Sequence, residues 1–193
     1  MNDKVVRWRG LAYAAWGYFF INFNFSIGTI NILPRFVGFL FLLCAINSLL
    51  HECKDLLLLR SFCIFFAAMN AIDWLMSFDG RTLDGRVVFF DLLVTVAILY
   101  FHFQFLTDIA VLAQTCQKDG EKLSVRLRCC RTIYTLLSTA VGNVTAIPTA
   151  IWSYFVYQQQ IFLLFGLMQG VVAVVIIVTL FQLKKRFQRE CEV

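Results

Sequence analysis

The sequence predicts an all-α protein, a polytopic membrane helix bundle with about six transmembrane helices and both termini in the cytoplasm. Of its 193 residues, 60% are hydrophobic and only 15% are charged, and the mean hydropathy is +0.75. A water-soluble domain has to cover itself with polar residues, whereas a membrane protein is apolar both inside and on its lipid-facing surface. Together with long apolar runs and an uneven distribution of Lys and Arg, this composition assigns the chain to the cell membrane as an integral, multi-pass protein.

Six apolar runs are long enough to cross a hydrocarbon core of about 30 Å. No linker or low-complexity tract separates them, so residues 1–193 are expected to form a single integral membrane domain. The predicted spans cover residues 11–27, 33–50, 56–76, 87–115, 132–156 and 160–183, each to within a few residues.

The basic residues set the orientation. With six spans, 14 of the 17 Lys and Arg residues fall on the side of the termini, and only Arg35, Arg81 and Arg86 fall on the other side. Cytoplasmic loops carry an excess of Lys and Arg, so both termini are predicted to be cytoplasmic. The net charge of +5 follows from this topology, and we expect no nucleic-acid partner.

Two prolines mark predicted helix breaks. Pro34 suits the first turn of the second span, which leaves residues 26–33 as an irregular connection. Pro148 removes a helical hydrogen bond from the fifth span. Breaks at matching places in two halves are typical of transporters built from inverted repeats, and an ordinary packing kink is the alternative.

Polar side chains inside the bilayer are the best indicators of function, because burying them is costly. Asp91, Thr95 and His102 follow one another at spacings of 4 and 7 in the fourth span, which places them on one helix face. A His on the same stripe as a carboxylate can relay protons or orient a polar ligand. The alternative is structural, with His102 bonded to a neighbouring helix and Asp91 reaching the outer interface.

Further polar residues cluster near the predicted outer side. Antiparallel packing of the third and fourth spans would bring Asp73 and Asn70 close to Asp91, and the connection between these spans is rich in Asp. We expect an outward-opening polar cavity between the first, third and fourth spans, for a cationic or zwitterionic molecule; a rim of weak ion pairs is the alternative. The candidate residues for ligand binding or proton relay are Asp91, His102, Thr95, Asp73, Asn70 and Asn24, with Asn22, Asn31 and Gln169 as further lining residues.

Two patterns concern packing. Gly166 and Gly170 form a GxxxG pair, which predicts close approach of the sixth span to another helix. Trp8, Trp74 and the tyrosines near span ends are typical of the aromatic belt at the membrane interface.

The longest polar stretch is 117–131, where Leu123, Val125 and Leu127 alternate with basic residues. The pattern predicts a short segment on the inner membrane surface that contacts anionic lipid or a partner, at about 1 kcal/mol per basic side chain. A plain positive-inside loop is the alternative. The contact residues would be Lys122, Arg126, Arg128 and Arg131.

The sequence offers no familiar catalytic or metal site. No cysteine falls on the predicted outer side, so the thiols are expected to be reduced. Cys129 and Cys130 adjoin a basic boundary, where palmitoylation or a metal could be considered, but no CxxC pair or His partner accompanies them. The HExxH, GxSxG and Walker A motifs are absent. We therefore expect no catalytic residues, no metal and no cofactor.

One short segment carries a resemblance. The run from Asn31 to Gly38, Asn-Ile-Leu-Pro-Arg-Phe-Val-Gly, resembles a segment in uncharacterised multi-pass membrane proteins of Gram-positive bacteria, and it covers fewer than 30 residues. The resemblance implies a membrane fold and no known activity.

Three functions follow from these expectations. The leading hypothesis is small-molecule transport or ligand binding through the outward-opening cavity. The second is a non-catalytic accessory or regulatory subunit that docks a partner or anionic lipid by its basic cytoplasmic segment, and the third is a membrane-embedded enzyme. The expected partners are the lipid bilayer and either a partner subunit or a second copy of the chain in a homo-oligomer.

Overall fold

The protein is a bundle of helices joined by short connections. The structure is a computed structural model that describes residues 3–23, 26–27, 30–31, 34–50, 56–78, 88–116, 120–146 and 158–192. Its helices, in chain order, are α1 (Asp3–Asn22), α2 (Arg35–Leu49), α3 (Leu56–Ser77), α4 (Val88–Gln114), α5 (Gly120–Ala146) and α6 (Gln158–Glu192).

The bundle has the surface of a membrane protein. Large apolar side chains point outward on several helices, and Leu57, Leu136 and Val171 are 60%, 65% and 64% exposed. Three helical segments are long and apolar enough to cross a membrane, namely Leu56–Ser77, Leu92–Gln114 and Leu163–Arg189. The predicted helical membrane bundle is therefore supported, with three spans that meet this criterion among the described residues. Helix α2 is apolar but has 15 residues, fewer than the roughly 20 that a perpendicular crossing requires.

The end of the predicted first span, 11–27, is wrong. Helix α1 ends at Asn22, whose side-chain amide donates to the carbonyl oxygen of Tyr18 at 2.9 Å. The chain then forms two short antiparallel strands, β1 (Ser26–Ile27) and β2 (Ile30–Asn31). This hairpin replaces part of the expected irregular connection, and its ladder satisfies backbone groups that would otherwise lack partners.

The break expected at Pro34 is present. Pro34 is the N-cap of α2, with φ −69° and ψ 131°, and the helix begins at Arg35. The fixed φ of proline and its missing N–H suit a helix start, where the first amides have no intrahelical acceptor. Pro148 lies outside the described residues.

The last two helices begin earlier than the predicted spans at 132 and 160. Helix α5 begins at Gly120, so the basic stretch forms its first turns rather than a separate segment or loop. The reason is a buried stripe at helical spacing, Leu123, Leu127, Cys130 and Tyr134, whereas Val125 is 54% exposed. Helix α6 likewise continues past the predicted end at 183 through the basic residues to Glu192.

The helices form a closed ring in chain order. Each helix packs on the next one along the chain, and α6 returns to pack on α1. The pairs α1–α2 and α1–α6 make the most extensive contacts, and the α3–α4 pair makes the smallest contact in the ring. In the middle of the ring, Tyr18 of α1 contacts His102 of α4.

Glycine permits the close packing of α1 on α2. A Cβ built on Gly17 would lie 2.7 Å from Cγ of Leu42, and one built on Gly38 would lie 2.9 Å from the carbonyl oxygen of Gly17. Gly10, two turns from Gly17, faces Leu49 in the same way. Small residues let backbones approach in membrane helix pairs, so this seam supplies dispersion contact where no hydrophobic force drives association.

The bundle is packed solid at one end and hollow towards the other. In α3 no described side chain after Ala67 is buried, in α4 none before Phe101, and in α6 none before Ala173. Because neighbouring helices run antiparallel, these buried halves lie at the same end, the end that carries Arg7, Lys122 and the basic residues of α6. We call this the basic end.

Candidate functional site

A cavity of about 440 Å³ occupies the hollow part of the bundle, and all six helices contribute to its lining. Its apolar lining includes Phe39 and Ile98. Eight polar residues also line it, which is a large number for the interior of so apolar a protein. They are Asn22, Arg35, Asn70, Thr95, His102, Tyr134, Ser138 and Gln169.

His102 forms the floor of the cavity. Its side chain is 2% exposed, and Nδ1 lies 3.2 Å from the hydroxyl oxygen of Tyr18 on α1. Either the hydroxyl donates to Nδ1 or a protonated Nδ1 donates to the hydroxyl, depending on the tautomer. Within the described part of the chain Tyr18 is the one hydrogen-bond partner of this ring, so Nε2 has no protein partner there. The ring of Tyr134 packs edge-on against the imidazole, with centroids 5.4 Å apart.

The side chain of Asn22, near the end of α1, hydrogen-bonds to residues of both α1 and α5. Its oxygen Oδ1 accepts a hydrogen bond from the Tyr134 hydroxyl at 3.0 Å, while its Nδ2 donates to the backbone of Tyr18. The side chains of α1, α4 and α5 are thereby linked through His102, Tyr18, Asn22 and Tyr134. A network with partners on three helices holds its polar groups in fixed positions, which is what a binding site requires.

Helix α6 contributes Gly166 and Gly170 to one side of the cavity, and we call this side the glycine wall. A Cβ built on Gly166 or Gly170 would meet no atom within 4 Å, and both glycines line the cavity. No described helix packs against the face that the glycines share, so the close packing predicted from the GxxxG pair is not found within the described bundle. Between them, Gln169 donates to the Ser138 hydroxyl at 3.3 Å and ties α6 to α5.

Arg35, Asn70 and Thr95 line the cavity farther from the basic end. Arg35 is the first residue of α2 and the charged member of the lining among the described residues. Asn70 on α3 donates to the carbonyl oxygen of Phe66 at 2.8 Å, which leaves its own oxygen available as an acceptor. This part of the wall therefore offers one cation and several neutral hydrogen-bonding groups.

Three of the six residues predicted for ligand binding or proton relay come together in the cavity lining, namely Thr95, His102 and Asn70. Asp73 lies on α3 but is not part of this lining. Asn24 lies outside the described residues, as does the side chain of Asp91. Their expected places beside the cavity stay predictions.

The sequence did not indicate two polar residues of the cavity lining, Tyr134 and Ser138, or Tyr18, which lies just beneath the lining. Tyr134 was grouped with the aromatic belt, but it is 4% exposed and lies beside His102. Tyr18 is wholly buried under the floor. Ser138 follows Tyr134 by one helical turn, so the spacing of 4 was a usable signal once α5 was known to be helical through both positions.

The predicted lipid or partner contacts divide into two kinds. Lys122, Arg126 and Arg128 are exposed on the first turns of α5. Arg131 is half-buried and turned towards α4, where it donates to the hydroxyl of Thr107 at 2.8 Å and covers the ring of Phe103 at 4.0 Å. Arg131 thus joins two helices of the bundle, whereas the other three form an exposed basic surface.

No group of three or more His, Cys, Asp or Glu side chains could hold a metal ion in the part of the chain that is described. The lining groups are hydrogen-bond donors and acceptors with one permanent cation. Chemically, such a set can bind and orient a small polar molecule, with Nε2 of His102 as one hydrogen-bonding group.

The chain matches no protein-family description, no curated protein and no solved structure.

Proposed function

We propose that the protein is a six-span membrane protein that binds a small polar molecule in this cavity from the outer side of the membrane, as a transporter or a binding subunit does. One observation carries the proposal: a polar-lined cavity of about 440 Å³ lies inside an otherwise apolar bundle and is closed at the basic end. Ligand cavities of roughly 300–1,000 Å³ with a few converging polar groups are typical of small-molecule sites.

The basic residues support the orientation. Cytoplasmic segments of membrane proteins are rich in Lys and Arg, so the basic end belongs on the cytoplasmic side. The packed core, which includes Phe105, Leu106 and Ile109, then lies between the cavity and the cytoplasm. The cavity faces outward, and both termini are cytoplasmic.

The energetics favour a bound ligand over a structural role. Polar groups in a membrane interior are costly unless they are satisfied, and a structural role would be served by pairing them with one another. Some of the lining groups are paired in this way, as Tyr134 is with Asn22. Nε2 of His102, however, bonds no described residue, and the Cβ positions of Gly166 and Gly170 border open space. Open space beside such polar groups is what a ligand or ordered water fills.

The test fills the cavity without disturbing the fold. Gly170→Leu places a side chain in open space, so the variant is expected to fold, yet it occupies the volume that a ligand needs. Native mass spectrometry of the protein, extracted gently from its host membrane, then measures a retained small molecule. We expect the bound mass in the unchanged protein and in Val171→Leu, a lipid-facing control one residue away, and its loss in Gly170→Leu.

Retention of the same molecule by folded Gly170→Leu would contradict the proposal, as would the lack of any bound molecule in the unchanged protein. Uptake into vesicles of the molecule so identified then separates a transporter from a binding subunit. In a transporter, Gly170→Leu abolishes uptake as well as binding.

A second candidate function rests on the exposed basic surface of Lys122, Arg126 and Arg128. Three exposed cations on the first turns of α5, at the basic end, suit the docking of an accessory subunit to an acidic partner protein. Replacing all three by Glu is expected to abolish co-purification of that protein while leaving the mass bound in the cavity unchanged. A partner that remains bound at full stoichiometry to this variant would rule out docking by this surface.

A further inference from the structure

We propose that the cavity selects molecules with an anionic group, a carboxylate or a phosphate, which pairs with Arg35. This inference rests on the proposed function and specifies the ligand class of the same site. It reverses the charge expected from the sequence, where the Asp-rich connection predicted a cationic or zwitterionic ligand.

The inference rests on the charges of the residues that line the cavity in the described part of the chain. Arg35 lines the cavity, whereas Asp73, the acidic candidate whose position is described, does not. Arg35 makes no hydrogen bond or ion pair with any residue in the described ranges. An arginine is always charged, and its planar group offers a fork of donors that matches the two oxygens of a carboxylate or phosphate.

The backbone adds to this positive field. Arg35 is the first residue of α2, a helix of 15 residues whose N-cap, Pro34, makes no side-chain cap hydrogen bond. The first N–H groups of a helix project outward at its N-terminus, where the aligned peptide dipoles place about half a positive charge. The guanidinium and the helix end therefore act on the same anionic group.

The rest of the lining fits the uncharged part of such a molecule. Asn70 and Gln169 offer amide groups from two sides, and His102 offers Nε2 from the floor. Tyr134 and Arg35 line the same cavity, so a molecule that fills it contacts both the cation and the floor. We infer a ligand with its anionic end towards Arg35 and its hydrogen-bonding end towards His102.

A cysteine in the glycine wall can measure this potential without knowledge of the ligand. Gly170→Cys places a thiol in open space on the cavity wall. Right-side-out vesicles that contain this variant are treated with two membrane-impermeant methanethiosulfonates of similar size. One carries an ethylsulfonate anion and the other an ethyltrimethylammonium cation, and peptide mass spectrometry follows the modification of residue 170.

We expect the anionic reagent to react faster, relative to the rates of both reagents with a free thiol in solution. In Gly170→Cys combined with Arg35→Gln, this preference is expected to fall severalfold, because an exposed positive charge on the cavity wall has been removed. The double variant Gly170→Cys with Arg35→Lys keeps the positive charge and should keep the preference. It controls for a change in the shape of the side chain at position 35.

The outcomes separate the two proposals. A preference that stays unchanged in the Arg35→Gln background, or one that favours the cation in the Arg35 protein, overturns anion selection and leaves the cavity in place. Failure of either reagent to reach residue 170 in folded protein overturns the outward-opening cavity itself. Loss of the preference in Arg35→Gln with its retention in Arg35→Lys supports both.

Discussion

Gly17 and Gly38 face each other at the tightest approach of α1 to α2, where neither position has room for a methyl group. A Cβ on Gly38 would lie 2.6 Å from Cγ1 of Ile21, and one on Gly17 would lie 3.0 Å from the carbonyl oxygen of Gly38. This seam anchors α1, the helix with the most extensive contacts in the ring. The same bundle holds two other glycines in open space, and this contrast gives a direct test of the packing.

Gly38→Ala is expected to lower the free energy of unfolding by about 1–3 kcal/mol, because the added methyl overpacks a backbone contact that cannot move aside. Thermal unfolding in detergent, followed by circular dichroism, measures the change. Gly166→Ala is the matched control, since its Cβ meets nothing within 4 Å and alanine favours the helix. Equal melting temperatures for the two variants would contradict the packing described for α1 and α2.

The hydrogen bond between Tyr134 and Asn22 is expected to couple these residues energetically. Tyr134→Phe removes the hydroxyl that donates to Oδ1 of Asn22, while Asn22→Ala removes the accepting oxygen. Hydrogen bonds between membrane helices contribute about 0.6 kcal/mol on average in such cycles, so we expect a coupling of that size. A double-mutant cycle on unfolding free energies measures it, and strictly additive effects would show that the bond is not formed in the membrane.

Arg131 and Arg128 lie one turn apart on α5 but are expected to differ in their effect on stability. Arg131→Gln loses the bond to Thr107 and the contact over Phe103, which together favour the folded state by about 1–2 kcal/mol. Arg128→Gln changes an exposed side chain and should leave unfolding unaffected. The comparison of both variants by chemical denaturation checks this, and a larger loss for Arg128→Gln would be inconsistent with the structure.

The neighbouring thiols Cys129 and Cys130 are expected to react at different rates. Cys129 is exposed, while Cys130 is 7% exposed, and burial raises the pKa of the Cys130 thiol. Because the thiolate is the reacting form, Cys130 stays a protonated thiol to higher pH and should be alkylated slowly at pH values near neutrality. Raising the pH should accelerate alkylation of Cys130 strongly.

Variants that keep one thiol of this pair make the measurement possible. In Cys130→Ser, Cys129 should still be labelled by iodoacetamide at neutral pH, and in Cys129→Ser labelling of Cys130 should be slow until the pH is raised. Peptide mass spectrometry of this segment reports both rates. Equal rates at neutral pH would show that the α5 stripe is not buried against the bundle.

Much of the architecture was predictable because apolar length and proline position are local signals. The predicted fourth span, 87–115, agrees closely with α4 (Val88–Gln114), and Pro34 correctly marked the start of α2. The start of α5 at Gly120 differs from the prediction, because the basic stretch 117–131 predicts a separate surface segment or a loop before a span at 132. Its buried stripe through Leu127 and Tyr134 depends on a partner surface that composition does not reveal.

The candidate site was predictable as far as single polar residues within apolar helices indicate it. The spacing of Thr95 and His102 placed both on one face of α4, and both line the cavity. Which face of α6 turns inward is decided by packing between helices, so the glycines were assigned to a contact when they border the cavity. The approach of Tyr18 to His102 joins positions 84 residues apart and has no counterpart in any local pattern.

The length of α6 has a mechanical consequence. With 35 residues at 1.5 Å each, it is about 52 Å long, well beyond the roughly 30 Å of a hydrocarbon core. Its glycine wall lies at one end and its basic tail at the other. If the helix tilts as a rigid rod by about 5° about this wall, the basic residues roughly 30 Å away move by about 3 Å. The position of the basic tail is therefore coupled mechanically to the tilt of the wall that lines the cavity.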